Sequence, residues 1–407
     1  MKKISGGITA AKGFMASGVH CGLRKNKNKR DLALIFCEKP CDAAAVYTTN
    51  LVKGAPLIVT KKNLENHKAQ AVICNSGIAN TCNADGIEIA EKMCEETAKA
   101  LKIDKNDVVV ASTGVIGQRL NIDAIKSGIP ELVSTLAKGS EANLRAAHAI
   151  MTTDTMVKKV AITFKVGDKD VIIGGIAKGS GMINPNMATM LCFLTTDVNI
   201  EGEILQKALS DSVNDTFNMV SVDGDTSTND MVTILASGMA GNDRITNCES
   251  EAYKAFKEAL DYVNTNLCMK VAKDGEGATK LLECKVKNAP SKETAKKCAK
   301  SVISSSLVKS AFFGADANWG RILCALGYAG VNIDVEKIDV TFISSAGSIE
   351  VCKDGRGIDF DEEKAKTILL EDKIIIDIDL KDGNYDAVAW GCDLTYDYVR
   401  INGDYRT

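Results

Sequence analysis

The residues whose types and spacing could support chemistry gather in one stretch, Lys178-Gly179-Ser180-Gly181-Met182-Ile183-Asn184-Pro185-Asn186-Met187-Ala188-Thr189-Met190-Leu191. Gly174, Gly175, Gly179 and Gly181 lie close together, and Pro185 between two asparagines fixes a bend. Glycine adopts positive φ and Asn and Pro favour turns, so the chain makes a strained approach to the apolar run Met190–Leu194, which reads as a buried strand. A hydroxyl residue where such a loop meets a strand is well placed as a nucleophile, and Thr189 is that residue. The same local pattern also fits an ordinary strand-to-strand turn. A second candidate is the apolar strand Asp107–Ser112 running into Thr113-Gly114-Val115-Ile116-Gly117. Small polar residues and glycine at a strand end point backbone amides into a pocket.

Two further loops carry acids. Asp223-Gly224-Asp225-Thr226-Ser227-Thr228-Asn229-Asp230 has alternate carboxylates but lacks the sixth-position glycine and twelfth-position glutamate of a calcium loop. It reads as a hydrogen-bonded turn that orients neighbouring loops. Asp274-Gly275-Glu276-Gly277-Ala278-Thr279-Lys280 holds one carboxylate between glycines, which a surface turn explains equally well.

Other chemistries find little support. The three histidines, His20, His67 and His148, sit in no nucleophile elbow or paired motif, so the base of any enzyme here is a different group. The 14 cysteines form no Cys-x-x-Cys pair, and Cys37 and Cys41 have no second pair to complete a zinc site. Buried free thiols in a reducing cytoplasm are the expectation, among them Cys37, Cys74, Cys192 and Cys324. No metal and no cofactor is expected. A formal charge of −3 on 407 residues suggests neither a nucleic-acid nor a membrane surface. No apolar run reaches the ~18 residues of a membrane span, and the start Met1-Lys2-Lys3 has no apolar core of a secretory signal behind it.

The elements that must position these residues are α and β. Strands are expected at Asp31–Cys37, Ala43–Thr48, Leu57–Thr60 and Ala71–Cys74, and Lys25–Arg30 reads as a basic, solvated hairpin tip. Ile87, Ala90, Cys94, Ala98 and Leu101 share one face of a helix over about 86–101. Further helices follow at about 123–137, 141–151, 203–217 and 251–273, with strands at 159–166 and 171–176. From about residue 288 a linker-like Asn288-Ala289-Pro290-Ser291 opens an alternating helix and strand pattern that fits a separate α/β domain.

With these segments in place, the sequence resembles the glutamate N-acetyltransferase/ornithine acetyltransferase family of arginine biosynthesis. The likeness runs in order through Gly13-Phe14, Tyr47-Thr48-Thr49-Asn50, Asn75-Ser76-Gly77-Ile78-Ala79-Asn80, Ser112–Gly117 and Met151-Thr152-Thr153-Asp154-Thr155. It continues through Lys178–Leu191, Asp223–Asp230, Asp274–Lys280, Gly314–Arg321 and Asp397–Asn402. The resemblance implies self-cleavage between Ala188 and Thr189, giving an alpha chain 1–188 and a beta chain 189–407. Thr189 would then be an N-terminal nucleophile with its own α-amine as base. Thr113 and Gly114 would form the oxyanion hole. Thr152, Lys178, Thr189, Glu276, Asn402 and Thr407 would bind substrate, although Thr155 flanks Asp154 as Thr152 does.

The implied reaction passes acetyl from N²-acetyl-L-ornithine to L-glutamate, with acetyl-CoA a second donor in some members. The implied fold is α+β, with a large stacked-sheet domain flanked by helices, like N-terminal-nucleophile hydrolases, over 1–287 and a smaller α/β domain over 288–407. The implied protein is cytoplasmic, a heterotetramer of two alpha and two beta chains with small-molecule partners only. Two rival readings stay open: a self-processing aminopeptidase or amidase in which water replaces glutamate, and an uncleaved metabolite-binding module.

Overall fold

Strands that are apolar on both sides must be covered on both faces. Leu32, Leu34, Ala71, Ile73, Val108 and Val110 pack in one buried cluster, and their alternates Ala33, Ile35, Val72, Cys74, Val109 and Ala111 pack in another. Helix Gly86–Leu101 supplies Ile89, Ala90, Met93, Cys94 and Ala98 to the first cluster, and helix Ile122–Ser134 supplies Ile125, Ile129 and Leu132. Helix Ser140–Ile150 supplies Ala146, Ala147, Ala149 and Ile150 to the second. Three- and four-residue spacing puts those side chains on one helix face, which is why these sequences are helical.

The computed structural model describes residues 1–184 and 190–404, so Ala188, Thr189 and Thr407 lie outside the described residues. The chain divides into two compact units. One holds Met1–Gly179, Thr226–Leu267 and the described part of Asn186–Asn214; the other holds Asp215–Asp225 and the described parts of Ser180–Pro185 and Cys268–Thr407. Secondary structure is mixed α and β throughout, as the sequence led us to expect. Among the described residues no helix is long and apolar enough to cross a membrane.

In the first unit, the described strands form one sheet in the order Lys2–Lys3, Lys158–Val166, Lys169–Lys178, Leu191–Thr196, Met231–Ala236, Leu32–Tyr47, Lys68–Ile78, Val108–Val115. Phe14–Val19 pairs with Leu32–Tyr47 off this path. Two neighbouring pairs are parallel, Leu191–Thr196 with Met231–Ala236 and Lys68–Ile78 with Val108–Val115. The second parallel pair sets Ser76 beside Thr113 and Gly77 beside Gly114 at the strand ends.

Three local expectations change. The two strands expected over 31–48 are one 16-residue strand with an irregularity between Phe36 and Cys41; its first part pairs Phe14–Val19 and its last part Met231–Ala236. Leu57–Thr60 lies in the helix Ala55–Asn63 rather than a strand. Its β-branched residues suggest extension, but Pro56 sits in the first turn, where proline is compatible with a helix, and burial of Leu57, Val59 and Thr60 outweighs propensity. Cys324 is exposed, not buried.

In the second unit, the described strands run Arg356–Gly357, Gly347–Lys353, Asp339–Ser344, Lys373–Asp379, Leu281–Ala289, Tyr385–Cys392, Val220–Ser221. Leu281–Ala289 is an interior strand, parallel to Lys373–Asp379 and antiparallel to Tyr385–Cys392. The boundary expected at 287/288 therefore falls inside a strand that is bonded on both edges. Helix Lys292–Ser304 covers this sheet with Ala295, Cys298, Ala299, Val302 and Ile303.

One side chain fixes the strand ends of the first unit to the Thr226–Asp230 loop. Asn229, 5% exposed, donates from Nδ2 to the carbonyls of Ala79 (2.6 Å) and Ser112 (3.0 Å). Its Oδ1 accepts from Thr81 and Thr228, each at 2.6 Å. All four bonds are shielded from water, so an Asn229→Ala variant is expected to lose about 2 kcal/mol or more of stability in equilibrium denaturation. Asn229→Asp should fare little better, because a carboxylate cannot donate to the two carbonyls. Unchanged unfolding of Asn229→Ala would remove this loop anchor from the account.

Candidate active site

The sheet of the first unit brings a set of charged side chains into its interior. Asp154 follows helix Ser140–Ile150, and Lys158 opens the next strand; both side chains are fully buried, with Lys158 Nζ 2.6 Å from Asp154 Oδ1. The same oxygen accepts the Gly179 amide at 2.7 Å, and Oδ2 accepts the Thr152 amide at 3.0 Å. One carboxylate thus ties the segment after the helix to the turn after Lys178. Burial, the largest effect on the Asp154 carboxyl, acts upward, but the charges of Lys158 and Lys178 and the Gly179 amide outweigh it and hold it down, to about 2.

Lys178 ends its strand, 8% exposed, with Nζ donating to Thr113 Oγ1 at 3.4 Å. With the lysine donating into that oxygen, the Thr113 hydroxyl hydrogen is left to serve another acceptor. Burial holds the Lys178 amine below its ordinary range, aided by the like charge of Lys158 and opposed by Asp154, Asp230 and Cys74. The buried Asp230 shows the converse. Burial pushes its carboxyl well up against the opposing Ser227 hydrogen bond and Lys178 charge, and its Oδ2 has no hydrogen-bond partner among the described residues. Lys178 and Asp230 are each driven toward neutrality.

Next to Thr113, Gly114 has φ +130, and a Cβ there would fall 2.2 Å from the Gly77 carbonyl carbon. Only glycine fits this approach of the two strand ends. Ser112 Oγ donates to Asn75 Oδ1 at 2.6 Å, and Ser76 Oγ donates to the Ala149 carbonyl at 2.6 Å, so both ends are pinned. A fixed hydroxyl and a backbone amide at adjacent positions are what a developing oxyanion requires.

The second unit has its own polar cluster. The Glu276 amide donates to the Ser180 carbonyl at 2.9 Å, and its carboxylate accepts Asn402 Nδ2 at 2.8 Å. A Cβ at Gly181 would lie 2.4 Å from Glu276 Oε2, so this glycine makes room for the carboxylate. Asp223 accepts the amides of Met182 (2.6 Å) and Ile183 (2.8 Å), and Tyr398 donates to it at 3.3 Å. The Asp223 turn orients a neighbouring loop, as its sequence suggested.

Of the sequence candidates, Thr113, Gly114, Thr152 and Lys178 are connected within the first unit, while Glu276 and Asn402 are bonded to each other in the second. Thr152 is half-buried and lines a cavity beside Asp154, whereas Thr155 is exposed. Asp154, Lys158 and Asp230 were not singled out from sequence. Asp154 lay in a noted motif, and its four-residue spacing to Lys158 was the available signal.

The chain is similar over nearly its whole length to proteins of one family. The ArgJ family matches residues 15–407. Arginine biosynthesis bifunctional protein ArgJ 1 of Clostridium acetobutylicum is 54% identical over 401 residues, spanning 98% of this chain and 97% of its own. Arginine biosynthesis bifunctional protein ArgJ of Caldanaerobacter subterraneus is 49% identical over 408 residues, all of both chains. A crystal structure of arginine biosynthesis bifunctional protein argJ from Bacillus halodurans, 48% identical with a TM-score of 0.50, covers 52% of this chain and 97% of that one. These define an enzyme of arginine biosynthesis. The chain belongs to the ArgJ family.

Removing the Asp154 charge strands two buried ammonium groups, so Asp154→Asn is expected to cost about 3 kcal/mol or more in equilibrium denaturation at neutral pH. Asp154→Asn/Lys158→Met should recover part of that loss; a double variant no more stable than the single one would contradict the pairing. The pH dependence has a definite sign. The Asp154 carboxyl is depressed when folded, so its contribution is full above its ordinary value of ~3.9 and drains away as pH falls toward about 2. Wild type should lose stability over that window more steeply than the double variant.

Proposed function

We propose that this chain is an acetyltransferase that cleaves itself between Ala188 and Thr189 and moves acetyl from N²-acetyl-L-ornithine to L-glutamate through an acetyl ester on Thr189. The observation that carries the reading is the buried constellation of Lys178, Thr113 and Gly114. It offers a fixed hydroxyl, a backbone amide and a desolvated amine, and among the described residues no histidine joins it. Leu191 pairs with Lys178 in the sheet.

In this reaction the Thr189 hydroxyl attacks the amide carbonyl of acetylornithine, and its proton passes to the α-amine of Thr189. Such an amine titrates near pH ~8, so much of it is neutral enough to accept. Thr113 and Gly114 donate to the oxyanion. Collapse breaks the amide C–N bond, the α-ammonium protonates the departing ornithine amine, and acetyl remains on Thr189. The glutamate amine then attacks the ester and regenerates the hydroxyl. Lys178, whose charge burial disfavours, gains a partner when a substrate carboxylate arrives, with Thr152 beside it. Glu276, held by Asn402, is the carboxylate we assign to the ornithine amine, and Thr407 we assign to substrate binding. Acetyl-CoA is proposed as a second donor, and two alpha with two beta chains in the cytoplasm as the assembly.

The length of the Bacillus halodurans chain supports the cleavage: it is itself about half as long as this one. On a denaturing gel the purified protein is expected to give two fragments, one ending at Ala188 and one starting at Thr189, while Thr189→Ala runs as one band. A wild type that remains a single active chain would rule the processing out. Thr113→Val should lower kcat by about 10²–10³-fold with Thr113→Ser largely active. Equal activity of Thr113→Val and wild type would remove the oxyanion role. Product formed from acetylornithine without glutamate would instead favour a hydrolase.

A further inference from the structure

The connection between two antiparallel neighbours of the first sheet is longer than pairing requires. Lys178 pairs with Leu191, and residues 179–190 join them, where hairpins commonly use about two to five. The chain does not turn straight back: residues 180–184 belong to the second unit. There they are held along their length. Ser180 Oγ donates to the Asp274 carbonyl at 2.6 Å, and the Ser180 carbonyl accepts the Glu276 amide at 2.9 Å. The Ile183 carbonyl accepts the Val222 amide at 2.6 Å, and Asn184 Nδ2 donates to the Gly224 carbonyl at 2.9 Å.

One carboxylate organises these bonds. Asp223 accepts the Met182 amide on Oδ2 at 2.6 Å and the Ile183 amide on Oδ1 at 2.8 Å. Oδ1 also accepts the Asp225 amide at 3.3 Å, which shapes its own turn, and Oδ2 accepts the Tyr398 hydroxyl at 3.3 Å from helix Tyr396–Gly403. Successive amides converge on one anion where the backbone between them bends. Met182 makes that bend at φ +55, in the left-handed region that residues with a side chain seldom adopt. Its own side chain is 42% exposed, so packing of Met182 does not hold the strained conformation. The charge of Asp223 on the two amides does.

A backbone fixed shortly before a bond that is to break has a use in self-processing. We propose that Asp223 is a positioning residue for cleavage between Ala188 and Thr189, clamping Met182 and Ile183 so that the chain running on from Asn184 presents that bond to the Thr189 hydroxyl. The inference rests on the self-cleavage reading above and adds which side chain governs its rate. In this step the hydroxyl oxygen adds to the Ala188 carbonyl carbon, the C–N bond breaks, and the hydroxyl proton ends on the freed amine. Water then hydrolyses the ester, giving the Ala188 carboxylic acid and returning the Thr189 hydroxyl. An attack within one chain gains its rate from holding the reacting groups in place, and a displacement of about 1 Å can cost ~100-fold. Asp223 acts here through the backbone of residues 182 and 183.

Cell-free synthesis of the full chain, stopped with denaturant at intervals and separated on a gel, follows the conversion of precursor to fragments. Asp223→Asn keeps the size of the side chain but offers one acceptor oxygen and turns an NH2 group toward an amide, so its conversion is expected to be at least about tenfold slower than that of wild type. Ser291→Ala is the control: it removes the cap of helix Lys292–Ser304 in the same unit and should convert at the wild-type rate. Equal conversion of Asp223→Asn and wild type, or equal slowing of both variants, would overturn the positioning role. Should Asp223→Asn fail to fold by circular dichroism, Asn184→Ala takes its place, since it removes the side-chain bond to the Gly224 carbonyl and leaves the carboxylate intact. About threefold slower conversion is then expected, and wild-type speed would overturn the proposal. A wild type that never converts would instead sink the self-cleavage reading on which it rests.

Discussion

The buried Asp154 carboxylate is the interaction on which the rest of the site depends. Its two oxygens hold Lys158, the Gly179 amide and the Thr152 amide, and so join two segments that are 25 residues apart in the chain. Burying a charge costs several kcal/mol unless it is paired and hydrogen-bonded, and here the charges of Lys158 and Lys178 and the Gly179 amide outweigh burial and keep the group ionised. Once it is ionised, Lys178 stands in a field that partly offsets its own burial. The lysine sits at its strand end with its amine on Thr113, and Asn229 holds the neighbouring strand end, at Ser112, to the Thr226–Asp230 loop. Positioning therefore runs from a charge pair, through a backbone amide and Lys178, to the Thr113 hydroxyl beside Gly114.

Much of this architecture is legible in the sequence because its signals are local. The face of Ile87, Ala90, Cys94 and Ala98 predicts a helix where Gly86–Leu101 forms one, and the run of valines at 108–110 predicts the strand that delivers Thr113. Leu57–Thr60 misleads because four apolar or β-branched residues in a row fit a strand as well as a helix, and only packing decides. The boundary at 287/288 misleads for a different reason. A Pro-Ser pair after Ala289 looks like a linker, but it follows an interior strand whose hydrogen bonds come from residues about a hundred positions away.

The site divides in the same way. Thr113, Gly114, Thr152 and Lys178 are visible as types in suggestive loops and are found connected. The roles of Asp154 and Asp230 are not visible, because what distinguishes them from surface acids is burial among side chains supplied by other strands. The basic run at 25–30 is read correctly by contrast, because its signal is local: residues 25–29 are exposed in the connection between the antiparallel strands Phe14–Val19 and Leu32–Tyr47.

What unites these features is that side chains and strand ends are fixed by buried bonds, which suits the proposed reaction because preorganised groups need not rearrange during it. The claim at its centre is that acetyl rests on Thr189 between donor and acceptor. Mass spectrometry of the enzyme quenched after exposure to acetylornithine alone tests this directly. The predicted result is one acetyl group on the fragment beginning at Thr189, localised to that residue and discharged on adding glutamate with an equal yield of acetylglutamate. Transfer to glutamate with no acetyl group ever found on Thr189 would contradict the account.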